Sequence, residues 1–200
     1  NGPEVTRRIK RNLPLVSVIL TMEKKEPERI FAAIKSGASA CLTKDIEPEH
    51  LLETIRVVAQ GSYPIMEELL TPGLASMVLT EFEDLAALSE EFDNLLANLA
   101  PKEKQLLNSI AADNTIEQIT AKLEINEETV RRTLRIIMNK LVANDQARTV
   151  IEAAQRSLPS IIRGPVKKDG KLVEYVTKAE FNEFKEHLME RLKSFIGELT

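Results

Sequence analysis

The chain has 200 residues, which exceeds a typical single domain and allows two small domains with connecting segments. Hydrophobic residues make up 43% and charged residues 29%, as in a soluble globular protein, and no apolar run approaches a membrane span. Aromatic residues make up 4% with no Trp, which argues against stacking platforms for single-stranded nucleic acid. The net charge is −4, so any affinity for DNA must come from a local basic patch.

Helices alternate with buried strands over the first sixty residues. Val5, Ile9 and Leu13 space one face of an amphipathic helix that runs up to Pro14. The apolar run 15–20 then predicts a strand buried on both faces. A helix at about 27–36, a short strand at 39–42 and a helix that begins at Pro48 and ends at Gly61 follow. The residues expected inside these helices are Ile30, Phe31 and Ile34, then Leu51, Leu52, Ile55 and Val58. This order implies a parallel sheet with right-handed crossovers.

Four short motifs in this half resemble the C-terminal part of a response-regulator receiver domain. They are Asn1-Gly2-Pro3-Glu4 (similar to "dGxE"), Ile19-Leu20-Thr21, the segment 36–45 (similar to "AGAxGYLLKD") and Gly61-Ser62-Tyr63. The resemblance implies that Thr21 and Lys44 are the switch hydroxyl and the cation that respond to a phosphorylated aspartate. The alternative for these two residues is a strand cap and an exposed lysine.

The receiver resemblance is incomplete. The phosphoacceptor aspartate and the acidic metal-binding pair of that family belong to strands upstream of Asn1, so this sequence offers no phosphoacceptor. Cys41 stands where the family usually has an aromatic switch residue. We expect no cofactor in these residues, and Mg²⁺ would require the upstream receiver strands. A half receiver exposes a sheet edge and one apolar helix face, so we expect upstream residues, or else a partner copy, to complete it.

The segment 63–98 is a helical connector. After Pro72-Gly73, apolar residues at helical spacing with acidic residues between them predict a long amphipathic helix over 74–99. Its acidity disfavours DNA contact. The segment is either a signalling helix between two domains or a plain spacer.

The stretch 115–141 predicts two helices joined by a tight turn. Ile116, Ile119 and Leu123 form one face of a short helix, and Asn126 is the expected N-cap of a second helix. The second helix buries Val130, Leu134, Ile137 and Leu141 and carries Arg131, Arg132, Arg135 and Lys140 on its other side. This geometry lays a helix in a DNA major groove. The alternative is an ordinary helical hairpin with a solvated basic face.

The same region resembles the DNA-binding domain of LuxR-type (NarL/FixJ family) response regulators. Segments 99–107, 115–120, 128–131 and 137–141 are similar to the family's "LTxRExxVL", "sNkEIA", "e-TVK" and "IlrKL" motifs. The resemblance implies DNA binding by Thr129, Arg131, Arg132, Arg135 and Lys140. It also implies a separate final helix at about 145–157, which dimerises through Ala147, Val150, Ile151 and Ala154. Gln118, Thr120 and Thr133 depart from the family pattern and leave the DNA sequence open.

The tail beyond Pro159 has no counterpart in that resemblance. Asp169-Gly170 is a hairpin turn signal between two short runs. The segment 177–180 has the capping-box form and precedes an amphipathic helix that reaches the terminus. Its heptad-like stripe favours self-association over packing on the rest of the chain.

These predictions divide the chain into a receiver-like portion (1–62), a helical connector (63–98), a LuxR-type helix-turn-helix domain (99–158) and a C-terminal hairpin and helix (159–200). The fold class is a partial α/β receiver-like, doubly wound parallel sheet followed by an all-α helix-turn-helix domain. The expected function is a transcriptional regulator whose receiver-like module controls dimerisation and DNA binding. The alternative is a protein-binding scaffold that no longer reads DNA.

The expected partners are double-stranded DNA, a second copy of the chain and a sensor histidine kinase, with no membrane. No catalytic residue or metal site is predicted, because His50 and His187 lack a cysteine or carboxylate at metal-ligand spacing. The single cysteine, Cys41, excludes an internal disulfide and fits a reducing compartment. No signal-peptide pattern is present, so the expected localisation is the cytoplasm.

Overall fold

The structure is a computed structural model that describes residues 1–89, 96–157, 166–168, 171–173 and 186. The elements in chain order are α1 (Gly2–Asn12), β1 (Ile19–Met22), α2 (Pro27–Ser36), β2 (Ala40–Thr43), α3 (Pro48–Ala59), a 3₁₀ segment (Pro64–Leu70), α4 (Pro72–Ser89), α5 (Pro101–Ala111), α6 (Ile116–Leu123), α7 (Glu127–Ser157), β3 (Val166–Lys168) and β4 (Lys171–Val173). The chain is mostly helical with a small parallel sheet. No helix within the described part is long and apolar enough to cross a membrane.

The predicted parallel pair of strands is present. β1 and β2 pair in parallel with Thr21 opposite Leu42, and α2 makes the crossover between them. The prediction of a strand from residue 15 is wrong for its first four positions. Leu15 is 97% exposed and Val16 44% exposed, because this part of the run forms a turn after α1, in which the Val16 N–H donates to the Leu13 carbonyl at 3.1 Å.

Helix α1 is present as predicted, but its buried face is turned by about 100° from the predicted one, and Ile9 is only half-buried. Val5 and Leu13 are exposed, whereas Thr6 and Lys10 are buried. The aliphatic stem of Lys10 packs over Gly37, which ends α2 in the left-handed conformation at φ 86°. Its ammonium donates to the Pro14 carbonyl at 3.3 Å, and burial lowers the pKa of Lys10. α1 therefore packs on α2 through the stem of a lysine and leaves two of its three stripe residues, Val5 and Leu13, exposed.

Helix α3 also departs from its predicted orientation. Val58 is buried as expected, but Leu52 and Ile55 are 52% and 44% exposed, and Thr54 is buried instead. α3 contacts β2 and the 3₁₀ segment. A sheet of two strands is too narrow to cover the full apolar face of this helix.

One hydrophobic core joins the two halves of the described chain. α2 packs on α7, and α4 packs on α5. The core includes, from the first half, Ile34, Ile65, Leu69, Leu74 and Val78, and from the second, Leu106, Ile110, Ile119, Leu134, Ile137 and Leu141. The connector is thus a structural part of this core. α4 confirms the first part of the helix predicted over 74–99, but residues 96–99 are not helical, and 90–95 lie outside the described residues.

The two strands of the hairpin predicted in the tail are present. β3 and β4 pair antiparallel, with Val166 opposite Val173. Asp169-Gly170 and the predicted C-terminal helix lie outside the described residues, apart from Glu186, which is helical and exposed.

The Cys41 thiol gives a test of this packing. It is 5% exposed in β2, and burial together with the charge of Glu68 raises its pKa to about 12. At pH 8 the native thiol should therefore carry a roughly thousandfold smaller thiolate fraction than an unfolded one. Iodoacetamide followed by mass spectrometry should label the urea-unfolded chain readily and the native chain hardly at all. Equal rates in both states would show that β2 is not buried.

Candidate nucleic-acid interface

Helix α6 begins with a capping box. The Thr115 hydroxyl accepts from the Gln118 N–H at 3.3 Å, and the Gln118 side chain accepts from the Thr115 N–H at 2.8 Å. Glutamine therefore performs the reciprocal cap that a Glu would perform at this position. The hydroxyls of Thr120 and Thr133 donate to carbonyls of their own helices, those of Glu117 and Thr129. All three residues that depart from the LuxR-type pattern serve local helix structure.

The turn between α6 and α7 places the second helix. Glu124 ends α6 in the left-handed conformation at φ 53°. Ile125 packs against the core, and the Asn126 Oδ1 accepts from the N–H and the hydroxyl of Thr129 at 2.8 and 2.7 Å. The predicted N-cap at Asn126 is confirmed. Thr129, predicted to contact DNA, is part of this cap.

The first half of α7 has one buried and one exposed face. The buried residues are those predicted from spacing, and each is 1% exposed or less: Val130, Leu134, Ile137 and Leu141. On the opposite side the exposed residues are Glu128, Arg131, Arg132, Arg135, Ile136 and Asn139. The three arginines predicted to bind DNA therefore lie together on one accessible face.

Two of these arginines contact the connector. Arg131 pairs with Glu127, at 2.9 Å, and with Glu67 of the 3₁₀ segment. These two carboxylates raise the pKa of Arg131, mainly through the hydrogen bond to Glu127. Arg135 lies over the Tyr63 ring at 5.6 Å from its centroid. By contrast, Arg132 is exposed and makes no ion pair within the described residues. The start of the connector therefore sits beside the basic face.

Lys140 holds two helices of the domain together. Its ammonium pairs with Glu103 at 2.8 Å and donates to the Asn98 carbonyl at 3.0 Å. Glu103 is 7% exposed and also accepts from the Ala100 N–H at 2.8 Å, which caps α5. Lys140 was predicted among the DNA-binding residues, but in this structure it fastens α7 to α5.

The predicted break before a separate final helix is absent, because α7 runs unbroken from Glu127 to Ser157. Asn144 and Asp145, residues that favour turns, are buried inside it with partners from elsewhere in the chain. The Asn144 amide exchanges two hydrogen bonds with the Ala97 backbone at 2.8 and 2.9 Å. Asp145 accepts two from Arg7 at 2.5 and 3.1 Å. These contacts outweigh the local preference for a turn.

The first residue of the predicted dimerisation face, Ala147, packs against the connector. Ala147 is 2% exposed and packs with Leu85 and Leu96, and Val150 is half-buried. The side chains of Ile151 and Ala154 lie outside the described residues. The described start of this face is therefore covered within the chain.

The two predicted receiver switch residues lie at one edge of the small sheet. Thr21 is exposed near the end of β1, and Lys44, which follows β2, pairs with Glu23. Both line an open cleft of about 650 Å³, together with Arg7 and Arg29. Across the described residues, no group of three His, Cys, Asp or Glu side chains could hold a metal ion.

Comparison with known proteins identifies the second half of the chain. Residues 97–153 match the GerE family, described as bacterial regulatory proteins of the luxR family. The transcriptional regulatory protein LnrK of Bacillus subtilis is 29% identical over 155 residues, which cover 76% of this chain and 68% of that protein.

Two nitrate/nitrite response regulators are also similar. The nitrate/nitrite response regulator protein homolog of Haemophilus influenzae is 34% identical over 124 residues, which cover 62% of this chain and 53% of that protein. NarP of Escherichia coli is 29% identical over 78% of this chain and 68% of its own length. No solved structure gives a significant match.

A capped short helix, a tight turn and a long helix with an exposed basic face define a helix-turn-helix protein. The helix-turn-helix domain at 97–153 is of the LuxR type. The similar proteins are named as a transcriptional regulatory protein and as nitrate/nitrite response regulators. This family is a class of transcription regulators and not a class of enzymes.

The position of Lys140 leads to a stability prediction. Lys140→Met leaves the buried Glu103 carboxylate without its cation and should lower the free energy of unfolding by roughly 2 kcal/mol, somewhat less than for a fully buried pair. Urea denaturation measures this. The control Lys122→Met removes an exposed lysine of α6 and should change stability by less than about 0.5 kcal/mol. Equal stability of the two variants would contradict the structural position of Lys140.

Proposed function

We propose that the chain binds duplex DNA through the exposed face of the first half of α7. Arg131, Arg132 and Arg135 carry the binding, because their guanidinium groups project from a helix whose other face is fixed in the core. Thr129 and Lys140 also contribute to DNA binding in this proposal. Thr129 does so from within the Asn126 cap, and Lys140 does so from its ion pair with Glu103. The net charge of −4 means that affinity comes from this local face. Phosphate contacts then dominate, and binding weakens steeply with salt.

Substitution of two of these arginines tests the proposal. Arg131→Ala with Arg135→Ala should abolish retardation of target DNA in a gel-shift assay, since both guanidinium contacts disappear. The matched control, Arg8→Ala with Arg56→Ala, removes the same charge from exposed sites on α1 and α3 and should bind as the unaltered chain does. If both double variants bind duplex equally well, a protein-binding scaffold becomes the better account.

We propose further that the first half and the connector control access to this face. The support is the contact of Arg131 with Glu67 and of Arg135 with Tyr63. A duplex that reaches these guanidinium groups competes with the connector for the same side chains. The arrangement described here is then a closed state, and DNA binding requires the connector to move away from α7.

Ion pairs between the halves stabilise this closed state. Arg7 of α1 holds Asp145 through two hydrogen bonds. Glu81 of α4 pairs with Lys35 of α2 at 2.9 Å and with Arg148 of α7 at 3.7 Å. An input that opens the chain must break both groups of contacts and also the apolar contacts of α7 with α2 and the 3₁₀ segment.

The source of that input follows from the receiver-like character of the first half, which is part of the proposal. Thr21 and Lys44 lie at one sheet edge, where a phosphoryl group on a neighbouring strand would meet a hydroxyl and a cation. In the receiver family a sensor histidine kinase is the source of the phosphoryl group, and we propose a cytoplasmic kinase of this kind as the partner of the first half. Opening frees the Ala147 side of α7, which supports a homodimer on DNA.

Neutralising Glu67 tests the closed state. Glu67→Gln removes the carboxylate that competes with DNA for Arg131, so affinity for duplex should rise ~2–5-fold, the range expected for an exposed ion pair. Glu68→Gln is the matched control, because Glu68 pairs with Lys25 instead and loses the same charge. Fluorescence anisotropy with labelled duplex at constant salt measures both. A rise of the same size in both variants would reflect net charge alone and would argue against the closed state.

A further inference from the structure

We propose that Ile136 reads the methyl group of a thymine and thereby sets the sequence preference at one position of the DNA site; this rests on the DNA-binding function proposed above. Ile136 is 42% exposed on the accessible face of α7. It is the one large apolar side chain among the exposed residues of that face in the described structure.

Packing does not explain this isoleucine. The core-facing side of α7 is filled by residues at three- and four-residue spacing, and Ile136 lies two positions after Leu134, which places it about 200° around the helix. Helix formation does not explain it either, because a β-branched residue is a weaker helix former than the straight-chain residues that suit an exposed position. The side chain is exposed and is not a strong helix former.

The neighbours of Ile136 give it a chemical context. Arg132 lies one turn earlier on the same face, and Asn139 lies almost one turn later, both exposed. In the major groove, arginine pairs with guanine O6 and N7, asparagine pairs with adenine N6 and N7, and apolar side chains contact the thymine methyl. An apolar group between a guanidinium and a carboxamide therefore matches the mixed polar and apolar edges that a groove presents.

The lack of charge on Ile136 distinguishes its role from that of the arginines. Arg131 and Arg135 contribute charge, which binds any duplex, whereas Ile136 carries none. Its contribution appears as discrimination between bases and not as a change in salt dependence. This difference makes the two roles separable by experiment.

The test replaces thymine by deoxyuridine. A preferred site is first selected from a random duplex pool with the full chain, and each thymine is then replaced singly, which removes the methyl group and keeps the base pair. One replacement should weaken binding roughly fourfold, the value of one buried methyl-sized group. Ile136→Ala should bind the unmodified site more weakly and lose this sensitivity at that same position, with its salt slope unchanged.

The matched control is Ile55→Ala on α3, the same substitution at a similar exposure of 44%. This variant should keep the full response to deoxyuridine. A selected site in which no thymine methyl matters, or an Ile136→Ala variant that still distinguishes thymine from deoxyuridine, overturns the inference and leaves DNA binding intact. If the unaltered chain retains no duplex in the selection, the proposed function fails and this inference fails with it.

Discussion

The burial of one face of α7 against both halves of the chain is the constraint on which the rest of the structure depends. Leu134, Ile137 and Leu141 enter the same core as Ile34 and Leu69. With that face fixed, the arginines can only project outwards or towards the connector. The rotation of α7 about its axis, and hence the identity of the groups offered to a partner, is set by apolar packing and not by the charges themselves.

The partners of the exposed arginines in this arrangement are set by electrostatics. The chain is acidic overall, and its connector brings Glu67 and the Tyr63 ring to the only part of α7 that concentrates positive charge among the described residues. Exposed contacts of this kind are individually weak, so in the proposed closed state they hold the connector beside α7 without fixing it there. The Arg7–Asp145 pair, which is more buried, adds a second restraint between the halves.

Local sequence signals predicted the local structure well. The N-cap at Asn126, the buried stripe of α7 and the parallel strand pair all follow from residue types and spacing. The failures came where the answer depends on distant residues. Periodicity gives a helix an apolar face but not a partner for it, so α1 and α3 turned out with apolar residues exposed. The straight path of α7 through Asn144 depends on Ala97, and the inward position of Lys140 depends on Glu103, 37 positions earlier in the chain.

We propose that the guanidinium groups of α7 serve the connector and DNA alternately. Spin labels at Glu53→Cys on α3 and Lys122→Cys on α6, both exposed positions, report the separation of the two halves, since Cys41 is buried and unlabelled. Pulsed electron–electron double resonance should show one narrow distance distribution in the free protein and a longer, broader distribution when saturating duplex is added. An unchanged distance with DNA fully bound would contradict the account.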